Sequence, residues 1–169
     1  MPEKRTLERA RRDRREGKAA STQAGEFVRE EIDHIREGKH GARSAKQAIA
    51  IGLSKARRAG VDLKPPRKGT TSAKTRRSAQ RAYARGHGAP ARAKSSTKRS
   101  RATMEALKRE RRGAASHRAL ATQAHRAATR RSASSRSATA RKASATKGSA
   151  ARSAAARKAA RTRAAHAHA

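Results

Sequence analysis

Residues 25–60 read GEFVREEIDHIREGKHGARSAKQAIAIGLSKARRAG and contain most of the pattern that decides the fold. In the first half, large apolar side chains follow the i, i+4, i+7 spacing of one helical face, at Val28, Ile32 and Ile35. Gly38 is suited to end this helix, because glycine readily adopts the left-handed conformation that follows a helix C-terminus. The sequence therefore predicts an amphipathic helix that stops near Gly38.

A second helix is expected after Ser44, because residues 44–47 have the S-x-x-Q form of a capping box. Small and apolar residues then form one broad stripe: Ala45, Ala48, Ile49, Gly52, Leu53 and Ala56. Gly60 is placed to close this helix, and Pro65-Pro66 breaks regular structure. We therefore expect a hairpin of two helices over residues 25–63.

Two short features of this hairpin carry a family resemblance: the helix end Glu37-Gly38-Lys39, and the run SAKQAIAI from Ser44 to Ile51. In these features the segment resembles a small bacterial family of uncharacterised basic proteins, over about a fifth of the chain. The resemblance implies a bacterial origin and a DNA-binding role, and it transfers no activity. The tail, rich in Ala, Arg, Lys and Ser, is similar to those of bacterial linker-histone-like proteins but lacks their Lys-Pro-Ala-Ala repeats.

Basic residues dominate the composition. The 169 residues include 46 Lys and Arg but 12 Asp and Glu, which gives a formal net charge of +34. The excess is uneven, since residues 1–62 carry 16 basic and 10 acidic side chains, whereas residues 63–169 carry 30 and 2. This charge density is typical of proteins that neutralise nucleic-acid phosphates, where counterion release drives binding with little regard to sequence.

Outside the hairpin, large apolar side chains are scarce, because most of the 34% hydrophobic residues are alanine. We therefore expect a mainly α protein: a short two-helix hairpin with largely disordered or transiently helical basic extensions. Three stretches beyond the hairpin could form short helices: 75–85, 102–112 and 116–131. The expected regions are a basic N-terminal arm (1–24), the helical hairpin (25–63), a basic region with short helices (64–130) and a disordered low-complexity basic tail (131–169).

No enzyme, cofactor or metal site is predicted. The chain has no Cys, which excludes disulfides and thiolate chemistry, and no apolar run long enough to span a membrane. We interpret His34 as a surface residue and the pair His166 and His168 as at most an adventitious metal ligand. The first helix carries five acidic side chains, which we interpret as a solvated face: Glu26, Glu30, Glu31, Asp33 and Glu37.

The sequence favours a cytoplasmic, nucleoid-associated, histone-like protein that binds duplex DNA with little sequence preference. The scarcity of aromatic residues argues against base stacking, and a second helix rich in Ala and Ile argues against a sequence-reading helix-turn-helix. The side chains expected to contact phosphate are Arg43, Lys46, Lys55, Arg57, Arg58, Lys64, Arg67, Lys68, Lys74, Arg76, Arg77, Arg136, Arg141, Lys142, Lys147, Arg152, Arg157 and Lys158.

Two alternatives remain open at this stage. An RNA-binding or ribosome-associated protein would satisfy the same positive charges, because A-form phosphates are equally anionic. A protein-interaction module is the other alternative, in which the acidic helix Glu26–Glu37 recruits a protein partner and the tail tethers the complex to DNA.

Overall fold

A computed structural model describes residues 2–90 and 97–167, which contain α-helices, one short 3₁₀ helix and no strand. The helices are α1 (Lys4–Arg15), α2 (Ala20–Arg36), α3 (Ala45–Arg58), α4 (Ala73–Gly86), α5 (Thr97–Arg109), the 3₁₀ helix (Arg112–Ala115), α6 (His117–Thr129) and α7 (Ala133–Ala167). The chain divides into two compact units, Met1–Gln123 and Ala124–Ala169. The prediction of a mainly α protein is confirmed.

The predicted pair of helices is present as α2 and α3, and its end signals act as expected. The Ser44 hydroxyl accepts a hydrogen bond from the backbone N–H of Gln47 at 3.2 Å, which caps the start of α3. Gly60 has a φ of 86°, and the N–H of Val61 donates to the carbonyl of Ala56 at 3.1 Å, the Schellman arrangement of a helix end.

The prediction that folded structure stops at this hairpin is wrong. Helices α1 and α4 and the 3₁₀ helix all pack on α2 or α3. One buried cluster joins α2 and α3 to the 3₁₀ helix through Ile32, Ile35, Ala42, Ala48, Ala114 and Ala115. The other joins α1 to the hairpin through Ala10, Ala24, Phe27, Ala56 and Val61. Seven of these eleven residues are alanine, so small side chains make up much of the buried contact between these helices.

Helices α2 and α3 approach each other closely at Gly52. A Cβ atom built on Gly52 would lie 2.7 Å from the Cα atom of Val28, a distance that real Cβ atoms do not show. Only glycine fits at this position without moving one of the helices. The absence of a side chain at Gly52 therefore sets the spacing of the hairpin.

The N-terminal segment is part of the folded unit rather than a free arm. Helix α2 begins at Ala20, so the predicted boundary after residue 24 falls inside it. The backbone N–H of Glu3 donates to the Glu30 carboxylate at 3.1 Å. Asp13 is 4% exposed and accepts a hydrogen bond from Lys18 Nζ at 2.8 Å, which fixes the turn between α1 and α2.

The loop between α2 and α3 is held by the last turn of α5 and the segment that follows it. The N–H of Gly41 donates to the Leu107 carbonyl at 2.8 Å, and the N–H of Ala42 donates to the Arg111 carbonyl at 3.3 Å. Near the end of α2, the Arg36 guanidinium donates to the Ala115 carbonyl at 3.1 Å. These bonds anchor a loop that contains His40.

In the second unit, the segment expected to be a disordered tail forms helix α7, which is broken at Gly148, where φ is 65°. Its high alanine content favours helix locally. The described side chains of α7 are exposed apart from the half-buried Ser135 and Ser144, so no apolar face has formed. None of the described helices combines the length and apolarity needed to cross a membrane.

Candidate nucleic-acid interface

Helix α4 presents a stripe of positive charge. The spacing i, i+3, i+7, i+11 places four exposed basic side chains on one face: Lys74, Arg77, Arg81 and Arg85. The buried residues Ala79 and Ala82 lie on another face, which packs against α3. Ser72 caps the helix, since its hydroxyl accepts the N–H of Thr75 at 3.2 Å. Packing of the alanines therefore turns the basic stripe toward solvent.

A groove between α3 and α4 collects three arginines. Arg58, in the last turn of α3, lines a cavity of about 440 Å³ together with Arg81 and Arg85 of α4. The other described residues in its wall are Ser54, Ser78, Ala82, Ala84, Ala89 and Pro90. No carboxylate stands among them, so the groove offers three cations without an internal counter-charge.

The neighbouring groups in this groove affect the pKa of Arg58. Neighbouring protein atoms remove part of its solvation, and the positive charge of Arg85 repels it, so that the pKa of Arg58 is lowered from its ordinary value. An arginine remains protonated in spite of such a shift. An anion bound between Arg58 and Arg85 would relieve the repulsion, and phosphate is the anion that a guanidinium fork recognises well.

The predicted phosphate contacts are mostly exposed, but the structure brings few of them together. The exposed ones are Arg43, Lys46, Arg58, Lys64, Arg67, Lys68, Lys74, Arg77, Arg136, Arg141, Lys142, Arg152, Arg157 and Lys158. Arg76 is half-buried, and the side chain of Lys147 lies outside the described part of the chain. From this set, Arg58 lines the groove, and Lys74 and Arg77 extend the stripe of α4.

Two of the residues predicted to contact phosphate form contacts within the folded protein instead. Lys55 Nζ lies 2.7 Å from Glu31 Oε2 and 3.2 Å from Glu30 Oε1, so its charge is taken up inside the protein. Arg57 is 8% exposed and donates to the Leu63 carbonyl at 2.9 Å. Burial also lowers the pKa of Arg57. We therefore leave Lys55 and Arg57 out of the candidate interface.

Arg81 and Arg85 were missed by sequence reasoning. The signal that could have found them is the i, i+4, i+8 repeat from Arg77 to Arg85, which predicts one basic face on a helix that ends at Gly86. Their convergence with Arg58 could not be read from the sequence, because it depends on how α4 docks on α3.

The interpretation of the acidic residues of α2 as a solvated face is wrong for Glu30 and Glu31, which are 4% and 0% exposed. Burial acts to raise the pKa of Glu30, but hydrogen bonds from Thr6, the Glu3 backbone and Lys55 outweigh it, and the pKa is lowered. Glu31 stands four residues from both Phe27 and Ile35, which are fully buried, and this spacing was the available signal.

A larger cavity of about 840 Å³ lies between α1, α2 and α4. Arg11 and Arg14 line it, but so do apolar side chains, including Phe27, and the carboxylate of Asp62. This mixed lining suits a polyanion less well than the groove of Arg58, because a carboxylate in the wall would repel phosphate.

Comparison with protein-family models, with curated proteins and with solved structures gives no match to this chain.

Proposed function

We propose that this protein binds duplex DNA through its phosphate backbone, with little sequence preference, as a non-enzymatic, nucleoid-associated protein. The observation that carries the proposal is the convergence of Arg58, Arg81 and Arg85 on one groove whose described lining holds no carboxylate. The exposed Lys74 and Arg77 continue the same helical face. A run of cations at this spacing suits successive phosphates rather than one small ligand.

The distribution of charge supports the same role. Of the few carboxylates, Asp13, Glu30 and Glu31 are buried and lie against Lys18 or Lys55. Their negative charges therefore do not lie on the protein surface, whereas most basic side chains are exposed. A net charge of +34 disfavours the compact state through self-repulsion, and a polyanion would relieve it.

The two aromatic residues favour a duplex over a single strand. Phe27 is fully buried, and the Tyr83 hydroxyl is engaged with Asp62 while its ring stacks on His87. The chain has no Trp. Since single-strand binders stack bases on free aromatic rings, contact with the backbone of a duplex is the better-supported mode.

Binding to labelled duplex DNA, single-stranded DNA and double-stranded RNA, followed by fluorescence anisotropy over a salt series, tests the proposal. Replacing Arg58, Arg81 and Arg85 by Gln removes three phosphate contacts and should reduce the log–log salt slope by roughly 2.7. The matched control replaces three exposed arginines outside the groove, Arg15, Arg118 and Arg126, by Gln.

The groove variant should lose more affinity for duplex DNA than the control variant, although both lose the same charge. Equal losses would show that total charge matters and the groove does not. Tighter binding of double-stranded RNA than of duplex DNA would favour the RNA-binding alternative, and the absence of salt-sensitive binding to any of the three would contradict the proposal altogether.

A further inference from the structure

Away from the basic groove, three potential metal ligands meet at the end of α2. Glu31 and His34 stand three residues apart on one helical face, and His40 comes from the loop that follows. One ligand atom from each residue lies within 4.8 Å of those of the other two. Their side chains are 1%, 14% and 10% exposed, respectively. The site is thus a nearly enclosed cluster of two imidazoles and one carboxylate.

The carboxylate of Glu31 lacks full compensation for its burial. Neither of its oxygens has a hydrogen-bond partner among the described residues. Lys55 Nζ lies 2.7 Å from Oε2 but outside hydrogen-bonding geometry, and the same ammonium donates to Glu30 at 3.2 Å. One cation therefore serves two buried carboxylates. A buried anion in this position needs further positive charge to offset its desolvation.

Hydrogen bonds to the two imidazoles leave one lone pair free on each ring. His40 Nδ1 lies 3.1 Å from the Gly41 carbonyl, which can only accept, so Nδ1 carries the proton and Nε2 keeps its lone pair in the neutral ring. In the same way, His34 Nε2 lies 2.8 Å from a carboxylate oxygen of Glu3, which leaves Nδ1 free. Metal-ligating histidines show this pattern, in which the second nitrogen donates to a carbonyl or a carboxylate.

The spacing of the ligand atoms also fits a metal ion. In the neutral ring, His40 Nε2 and Glu31 Oε1 would face each other as two acceptors 3.4 Å apart, an arrangement that an intervening cation would stabilise. Two ligands of a tetrahedral ion with bonds of about 2.0–2.1 Å lie roughly 3.3 Å apart. The ligand atom of His34 lies within 4.8 Å of the other two, so it would have to move closer to bind the same ion.

We propose that Glu31, His34 and His40 bind a divalent first-row transition-metal ion, with Zn²⁺ as the ion to test. Imidazole and carboxylate together suit Zn²⁺, and three protein ligands leave a fourth position for water. The ion joins α2 to the loop between α2 and α3, which Gly41 and Ala42 connect to the end of α5 and the segment after it. Its effect is structural: it stabilises the corner where these segments meet.

Zinc titration of the full-length chain, freed of metal with a chelator and without nucleic acid, tests this site separately from DNA binding. In every protein tested, the sequence pair His166 and His168 is replaced by Gln, so that it cannot contribute. The reference protein should bind one Zn²⁺ per chain, and Co²⁺ should give the visible absorption of a tetrahedral site. At a Zn²⁺ concentration 100 times the Kd, Tm should rise by roughly 5–10 °C.

Substitutions at the site and away from it complete the test. His34→Gln and His40→Gln should each weaken Zn²⁺ binding by at least about tenfold and abolish the Co²⁺ spectrum. The matched controls His117→Gln and His125→Gln change exposed histidines of α6 and should leave Zn²⁺ binding and the Co²⁺ spectrum unchanged. Circular dichroism of each metal-free variant shows whether it is folded.

Equal Zn²⁺ binding by His40→Gln and the reference protein would overturn the proposal, as would the absence of one-to-one binding at millimolar Zn²⁺. The competing explanation is that the three side chains pack together without a metal ion. In that case Zn²⁺ would leave Tm of the metal-free protein unchanged. That result would also overturn the metal site.

Discussion

The phenol oxygen of Tyr83 lies 2.5 Å from a carboxylate oxygen of Asp62, and this hydrogen bond joins α4 to the segment that follows α3. The ring of Tyr83 stacks on His87, with 3.9 Å between the ring centroids. The bond to Asp62 is the largest cause that raises the pKa of Tyr83 above its ordinary value of 10.0, followed by desolvation and the charge of Asp62. Tyr83 thus fastens α4 beside the basic groove.

The first prediction concerns the ionisation of Tyr83, which is the only tyrosine of the chain. Its phenolate absorbance should titrate with a midpoint above 10, because ionisation breaks the hydrogen bond and places a second negative charge beside Asp62. In Asp62→Asn the midpoint should fall toward the ordinary value. Identical titration curves for the two proteins would show that the contact does not persist in solution.

The second prediction compares two glycines inside helices. Gly52→Ala should lower the free energy of unfolding by about 1–3 kcal/mol, because the new methyl group meets the backbone of Val28. Gly25→Ala, in α2, places its methyl group in open space and should raise the free energy of unfolding by up to about 1 kcal/mol through helix propensity. Urea denaturation measures both. Stabilisation by both substitutions would mean that α2 and α3 do not approach closely.

The third prediction concerns the loss of stability at acidic pH. Because the pKa of Glu30 is lowered in the folded protein from its ordinary 4.5, the folded state binds fewer protons than the unfolded state. The stability from Glu30 is therefore complete above about pH 4.5 and is lost as pH falls through the folded pKa. Thermal unfolding between about pH 7 and 3 should show a steeper loss of Tm for wild type than for Glu30→Gln.

The control for acid unfolding is Glu8→Gln, which changes an exposed carboxylate of α1. It should retain the wild-type dependence of Tm on pH. If Glu30→Gln also retains the wild-type dependence, the contacts of Glu30 with Glu3 and Lys55 do not contribute to stability.

The fourth prediction concerns α7. Deleting residues 131–169 removes ten Lys and Arg from a compact unit separate from residues 1–123. If about half of these side chains contact phosphate, the salt slope of DNA binding should fall by roughly 4–5. The thermal transition of the remaining chain should stay cooperative. A slope that does not change would show that α7 makes no phosphate contacts.

Local signals in the sequence were sufficient for much of the secondary structure. The cap at Ser44 and the glycine at position 60 bound α3 as predicted, and the stretches 75–85 and 116–131 overlap helices α4 and α6. These signals depend on a few neighbouring residues, so they can be read without knowledge of the fold.

Tertiary packing was not predictable in the same way. A count of large apolar side chains alone underestimates how much of the chain is folded, because Ala79, Ala82 and Ala115 are buried contacts rather than surface residues. The prediction of the interface was limited in the same way. Lys55 and Arg57 were predicted to contact phosphate but form contacts inside the protein, and Arg81 and Arg85 join the interface only through the packing of α4 on α3. Whether an alanine or a charge is buried depends on the partner helix, and the sequence of one helix does not contain that information.

The alanine-rich contacts have a consequence for how this protein can change by mutation. Ala24, Ala48 and Ala56 are fully buried at helix contacts, where a larger side chain would have to push two backbones apart. In a library of random substitutions, these positions should tolerate glycine or serine at most. The exposed alanines of α7, by contrast, should accept nearly every residue except proline. The same amino acid therefore marks the least and the most variable positions of one chain.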